Sequence, residues 1–325
     1  MTATVQRRIL HFLTAAALLC AAALLALSPQ KYAGACAEGI ALWAKAVLPA
    51  LFPFLVLSTL LARAGKGAAR RLEPLMRRVR LPAAAALCFF LSALSGYPVG
   101  SRTVADCAQR GEIPPRSLLR TAVLCSTSGP MFLLGTVGGA LYADARAGAI
   151  LLAAHLASAL LICLGTLPFA KKIPASPAAP PRGAEEGRSF SDSVQGAVIS
   201  VLCVGGFVAL FYVIGQMLED IGALRPAQAL FALLLAPAEN APQLAGGLAR
   251  GLLEATQGCA ALAAAGGTLA LPLTAFVVTF GGASILAQQL AFLCPAGIKA
   301  LPFIALKAAQ GLLAFLLCLG MQFCL

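Results

Sequence analysis

The stretch at 147–170, AGAILLAAHLASALLICLGTLPFA, contains no Asp, Glu, Lys or Arg, and Lys171 and Lys172 follow it at once. As a helix rising about 1.5 Å per residue, it matches the roughly 30 Å hydrocarbon core of a bilayer. Four further runs read the same way, at 9–27, 39–61, 194–218 and 300–323. The whole chain of 325 residues is 60% hydrophobic and only 11% charged. A soluble domain has about a quarter of its residues charged, so the polar shell is missing and lipid must take its place. No alternating segments of strand length occur, which excludes an outer-membrane barrel. The predicted fold is an all-α integral membrane protein, a polytopic helical bundle.

The net charge of +12 is not a nucleic-acid footprint, because the cations cluster in gaps between apolar runs. Arg63, Lys66, Arg70, Arg71, Arg77, Arg78 and Arg80 follow the second run. Lys171, Lys172, Arg182 and Arg188 lie in a Pro- and Ala-rich linker at 171–193. Gaps near Lys31, Arg146 and Arg225 carry single cations, and Glu219 with Asp220 adds acid. The positive-inside rule puts the basic gaps, with Arg7 and Arg8, in the cytoplasm. Residues 9–27 read as a retained first helix, since no small-x-small cleavage site follows. Ala33 stands where a lipoprotein signal at Cys36 would need leucine.

This orientation constrains 82–142 and 225–294, which are apolar but interrupted by Gly, Pro and polar residues. Each must make one net crossing, yet each has material for more. The expected solution is a re-entrant hairpin at 82–113 with a broken crossing at 117–142, then a second hairpin at 226–264 with a broken crossing at 268–294. TAVLCSTSG at 121–129 aligns without gaps to TAFVVTFGG at 274–282. With the opposite topologies, that alignment points to an inverted repeat. The expected organisation is an N-terminal helix and connection at 1–38, one repeat at 39–170, the linker at 171–193 and a second repeat at 194–325.

Helix breaks at membrane depth free backbone groups that lipid cannot satisfy. The first is Ser126, Thr127, Ser128, Gly129 and Pro130; the second runs from Thr279 through Gly281 and Gly282 to Ser284. Each following half-helix offers N–H groups and a positive dipole end to an anion. The alternative for either is a packing kink. The hairpin tips read SGYPVG at 95–100 and GLLEATQG at 251–258. Glu254, in an apolar setting, binds a cation, accepts a proton or hydrogen-bonds a substrate; otherwise it stays protonated or pairs with Arg250 one turn back. Gln288 lies one turn past the second break. Lys307 neutralises an anionic substrate or pairs with Glu254; Lys45 snorkels, and His155 makes an interhelical hydrogen bond. Arg110, Glu112, Arg116 and Arg120 are expected on a solvated cytoplasmic rim. Two histidines, His11 and His155, give little material for a catalytic triad or metal cluster, and no phosphate-binding Gly-x-x-x-x-Gly-Lys loop occurs. The expectation is a non-enzyme with no cofactor. The eleven cysteines, without C-x-x-C spacing, read as small apolar residues.

Five segments in order then bear a family likeness: LPALFPF at 48–54, SGYPVG at 95–100, SGPMF at 128–132 with GTVG at 135–138, GLLEATQG at 251–258, and FGGAS at 280–284 with Gln288. Together they resemble the sporulation integral membrane protein YlbJ family of the nucleoside-recognition (gate) domain group. That group is similar to concentrative nucleoside transporters and to the membrane part of ferrous iron transporter B. The resemblance implies inverted repeats with two hairpins, and a role in spore formation, moving dipicolinate across the outer forespore membrane. By position it implies a substrate site lined by Gly96, Pro98 and Gly100, by Ser128, Gly129 and Pro130, and by Glu254, Thr256 and Gln257. Ser95, Tyr97, Ser126, Thr279, Gly281, Gly282, Ser284, Gln288 and Lys307 complete the expected substrate-binding set. A coupling ion, H+ or Na+, is left open. A nucleoside or metabolite permease and a non-transporting scaffold or gate subunit are the alternatives. Related nucleoside carriers form trimers, so a homo-oligomer is a further implication.

Overall fold

A computed structural model describes residues 2–170 and 190–324, with side chains described for all of these except 2–10, 50, 58, 59, 61–70, 98 and 324. The side chains of Arg7, Arg8, Arg63, Lys66, Arg70 and Pro98, and the linker cations Lys171, Lys172, Arg182 and Arg188, therefore lie outside the described set. Among the described residues the chain is helical, with no strand.

Helix α1 (Thr2–Leu27) meets α2 (Pro29–Leu42) at a bend of 101°, at Ser28. A π-helical turn at Trp43–Val47 carries α2 into α3 (Leu48–Arg78) without a loop. Two expectations change here. The gap around Lys31 is helical, and the helix after 39 runs on to Arg78, so the basic gap residues 63–78 sit on α3. A pyrrolidine at the first helical turn, Pro29, explains why α2 restarts directly after the bend.

Next come α4 (Ala84–Ser95) and α5 (Tyr97–Gln109), separated only by Gly96. Helix α6 (Pro115–Leu124) ends at a non-helical stretch, and a π-helical segment, Phe132–Leu141, follows. Asp144 starts α7 (Ala145–Gly165) by accepting the Arg146 N–H at 2.8 Å, an N-cap that satisfies one orphan donor. The second half opens with α8 (Phe190–Asp220), so the last residues of the expected linker are already helical. Helix α9 (Arg225–Leu234) has no buried residue and packs on α10 (Ala241–Leu253), which is followed by α11 (Ala255–Ala265). Within the expected hairpin region 226–264, α10 packs on both α9 and α11. Helices α12 (Ala270–Phe280) and α13 (Gly282–Leu293) meet at Gly281, and α14 (Ala300–Cys324) closes the fold.

Among the described residues, four helical segments are long and apolar enough to cross a membrane: Ala145–Phe169, Phe190–Asp220, Ala270–Leu293 and Ala300–Phe323. The bent pair of α1 and α2 makes up to five. Lipid-type surface is visible on them, with Leu160, Leu161, Ile199, Leu202, Leu312 and Leu316 exposed. At the centre, α14 packs on α7 and α12, α5 on α13, and α11 on the π-helical segment.

Of four buried apolar clusters among the described residues, the two largest flank the centre. One gathers Phe132, Leu133, Ala154, Val278 and Ala314; the other gathers Cys125, Ile113, Leu286 and Phe303. Several segments of chain pass from one cluster to the other. Between Cys125 and Phe132 lie Ser126, Thr127 and Ser128; between Val278 and Leu286 lie Thr279 and Ser284; between Phe303 and Ala314 lie Lys307 and Gln310. All seven are buried. The polar residues therefore occupy the seam between two apolar cores.

Candidate functional site

Four residues after Cys125, from Ser126 to Gly129, are not helical, so the first break is wide. Side chains service it. The Lys307 ammonium donates to the Ser126 carbonyl at 2.9 Å and to Gln310 Oε1 at 2.8 Å, and lies 5.4 Å from the centre of the Tyr97 ring. The Ser126 hydroxyl donates to Gln289 Oε1, as does the Ser101 hydroxyl at 3.2 Å. Ser92 bonds the Cys125 carbonyl and shares a 2.8 Å hydrogen bond with Thr127.

His155 joins this break to the second. Its Nε2 accepts the Ser128 backbone N–H at 2.8 Å. An acceptor Nε2 on a neutral imidazole puts the proton on Nδ1, which donates to Thr279 Oγ1 at 2.9 Å. The Tyr97 ring meets that imidazole edge-on at 6.2 Å, and its hydroxyl donates to the Val278 carbonyl. Val278 lies in the last turn of α12, where carbonyls lack helical partners, so Tyr97 supplies one. The expected interhelical role of His155 matches these bonds.

The second break is a single residue, Gly281, in the left-handed region at φ 95°. The hairpin turn seals it. A Cβ on Gly282 would stand 2.6 Å from the Gly251 carbonyl oxygen and 3.3 Å from that of Leu253. A similar approach occurs in the first half, where a Cβ on Gly96 would stand 3.0 Å from the Gly129 nitrogen. Both glycines also have positive φ, 64° and 89°, so any side chain there is strained as well as crowded. Each half-helix start thus faces a hairpin turn rather than open space.

Glu254 is 2% exposed and caps α11. Its carboxylate accepts the Gln257 backbone N–H at 2.7 Å and the Thr256 hydroxyl at 3.2 Å. It pairs with neither Arg250 nor Lys307. Arg250 instead binds Glu219 at 2.7 Å, beside a cavity of about 250 Å³ lined by Glu219, Leu224, Arg225, Gln228 and Arg250. Arg120 also departs from expectation: rather than lying on a solvated rim, it is half-buried and donates to the Val79, Arg80 and Cys163 carbonyls. Arg110 and Glu112, two more residues of the expected rim, form an ion pair at 2.8 Å.

The seam thus unites Tyr97, Ser126, Ser128, Thr279 and Lys307 through hydrogen bonds or ring contacts. Ser95, Gly100 and Ser284 are buried, and Pro130 is half-buried at the start of the helix after the break. Glu254, Thr256 and Gln257 form their own cap group. Gln288 is buried, but the hydrogen bonds to Ser126 and Ser101 run to Gln289. Sequence reasoning misses both Gln289 and Gln310. Gln310 carries a signal all the same, since it lies one turn from Lys307 in an apolar helix. Four buried polar atoms lack a partner among the described residues: Gln257 Oε1, Ser284 Oγ, Gln289 Nε2 and Gln310 Nε2. Leaving such an atom unpaired costs about 1–3 kcal/mol. No group of three or more metal-ligating side chains occurs among the described residues.

The chain is similar to the sporulation integral membrane protein YlbJ of Bacillus subtilis (strain 168), 28% identical over 318 residues, which is 88% of this chain and 76% of that protein. This similarity supports the YlbJ family. Together with the apolar helices, it supports a multi-pass membrane protein. No family model matches the chain, and no solved structure does.

Proposed function

We propose that this protein is a carrier, not an enzyme, that moves a small anionic solute across the membrane, with dipicolinate the leading candidate. The carrying observation is Lys307. It is fully buried at the seam, and its ammonium has two neutral oxygens and an aromatic face around it, with no carboxylate partner among the described residues. A lysine at membrane depth costs about 2.5–3.5 kcal/mol on insertion scales, and such residues mark substrate paths. An anionic solute supplies the missing counter-charge.

Reciprocal packing supports an inverted repeat. Helix α5 of the first half lies on α13 of the second, while α11 of the second lies on the π-helical segment of the first. The two long helices α7 and α14 also pack together. In this reading α4–α5 and α10–α11 are re-entrant hairpins, and alternating access uncovers the seam from each side in turn. The N-terminus is cytoplasmic, the outer forespore membrane is the location, and H+ or Na+ is the coupling ion. The protein assembles as a homo-oligomer in the lipid bilayer, as its resemblance to nucleoside carriers implies.

A second reading has one observation in its favour. Hairpin backbone abuts both helix breaks, which suits a gate subunit or scaffold that does not cycle. A nucleoside permease on the same fold is the third. Uptake into proteoliposomes separates them, with dipicolinate and uridine as probes. Dipicolinate uptake that falls at least tenfold in Lys307→Met supports the anion carrier. Uridine uptake insensitive to that change favours the permease, and no uptake of either favours the scaffold.

A further inference from the structure

Lys307 can only donate, so the Gln310 oxygen must face it and the Gln310 amide nitrogen must face away. That nitrogen is buried with no acceptor, and Gln310 is 0% exposed. Across Ser126 the same pattern recurs. Gln289, also 0% exposed, spends its oxygen on the Ser126 and Ser101 hydroxyls and leaves its nitrogen unpaired. Ser126 binds both networks, through its carbonyl to Lys307 and through its hydroxyl to Gln289. The neighbourhood of one residue therefore holds an ammonium and two amide NH2 groups with donors to spare. Its carbonyl and amide oxygens are already in use. Such a set recognises an acceptor with several lone pairs and negative charge, which describes a carboxylate.

We infer that Gln310 and Gln289 form, beside Lys307, a carboxylate-binding subsite in which the two free amide nitrogens donate to the ligand's oxygens. This rests on the anion-carrier reading and names the group of the solute that the seam grips. The two glutamines come from α13 and α14, while Ser126 belongs to the first break, so the subsite is complete only when both halves are docked.

Isosteric substitutions isolate the free donors. Gln289→Glu keeps the oxygen that accepts from Ser126 and Ser101 and replaces the unpaired NH2 group with a second, charged oxygen. Gln310→Glu likewise keeps the oxygen that Lys307 uses, and adds an internal ion pair that holds the fold. Gln310→Met removes both the free donor and the oxygen that Lys307 uses, without adding charge, so the glutamate variant is its control. Full-length protein in detergent is titrated calorimetrically with dipicolinate and with its uncharged dimethyl ester. Wild type is expected to bind the dianion and not the ester. Gln310→Met is expected to lose about tenfold in affinity, the worth of one hydrogen bond to a charged group, and both glutamate variants more. Thermal melting without ligand should show all three folded. Unchanged dipicolinate affinity in Gln310→Met and Gln289→Glu overturns the subsite and leaves the carrier reading standing. Equal binding of the ester overturns the carboxylate assignment. Failure of wild type to bind the dianion overturns both readings.

Discussion

The two helix breaks are matched in position but held open by different means. At the first, four residues leave the helix, and side chains from four other helices come in to satisfy them: Ser92, His155, Gln289 and Lys307. At the second, one glycine turns the chain, and the α10–α11 turn closes over it with backbone. A wide break needs donors and acceptors that the chain elsewhere must provide, and those groups gather chemistry around it. A narrow break needs only room. For this reason the charged and amide groups cluster on the first break, while the second contributes Thr279 and the Val278 carbonyl to the shared seam.

Substitution at the narrow break should have the largest effect. Gly282→Val puts a β-branched residue at φ 64° with its Cβ against the Gly251 carbonyl, where strain and overpacking each cost about 1–3 kcal/mol. Loss of the monodisperse peak in detergent chromatography is the expected result. Recovery of normal, stable protein would mean that the turn is not sealed against Gly282.

His155→Phe tests the wide break. It keeps much of the ring volume but leaves the buried Ser128 N–H without its acceptor and frees Thr279, so about 1–3 kcal/mol of stability is expected to go. Thermal unfolding in detergent gives the number. A cost below about 0.5 kcal/mol would mean that the break does not depend on side chains, and the contrast with the second break would collapse.

Tyr97→Phe should be the mildest of the three. Only the hydroxyl bond to the Val278 carbonyl is lost, worth about 1 kcal/mol, while the ring stays against Lys307 and His155. Its ratio to the His155→Phe loss measures how unequally the two breaks rely on side chains. Equal losses would erase the distinction.

The positions of the breaks are legible because Pro and Gly interrupt otherwise apolar runs. SGP at 128–130 and GG at 281–282 cannot continue a helix undisturbed, and the structure has its interruptions there. Glu254 and Lys307 are legible for a similar reason, since ionisable residues in apolar helices stand out. Their partners are not. Local spacing suggests Arg250 for Glu254, one turn away, yet Arg250 reaches Glu219 on another helix and Glu254 caps its own. Gln289 escapes notice beside Gln288, because a difference of one residue rotates a helical side chain by about 100° and only packing says which face is inward. The basic gap after the second run marks the end of the apolar stretch, yet the helix continues through it to Arg78. Charge density marks where a chain leaves lipid, not where its helix stops.

By itself the sequence determined everything that each residue's own solvation and backbone limits dictate: an all-helical membrane chain, its breaks, and the buried ionisable groups. Only the tertiary structure decided which groups meet. Ser126 lies 181 residues from Lys307 and 163 from Gln289, and Ser128 lies 27 from His155. Hydrogen bonds reach about 3 Å, and no periodicity within one helix specifies a partner at that range on another. Docking of the two halves brought those groups into one seam and left the two amide nitrogens unpaired.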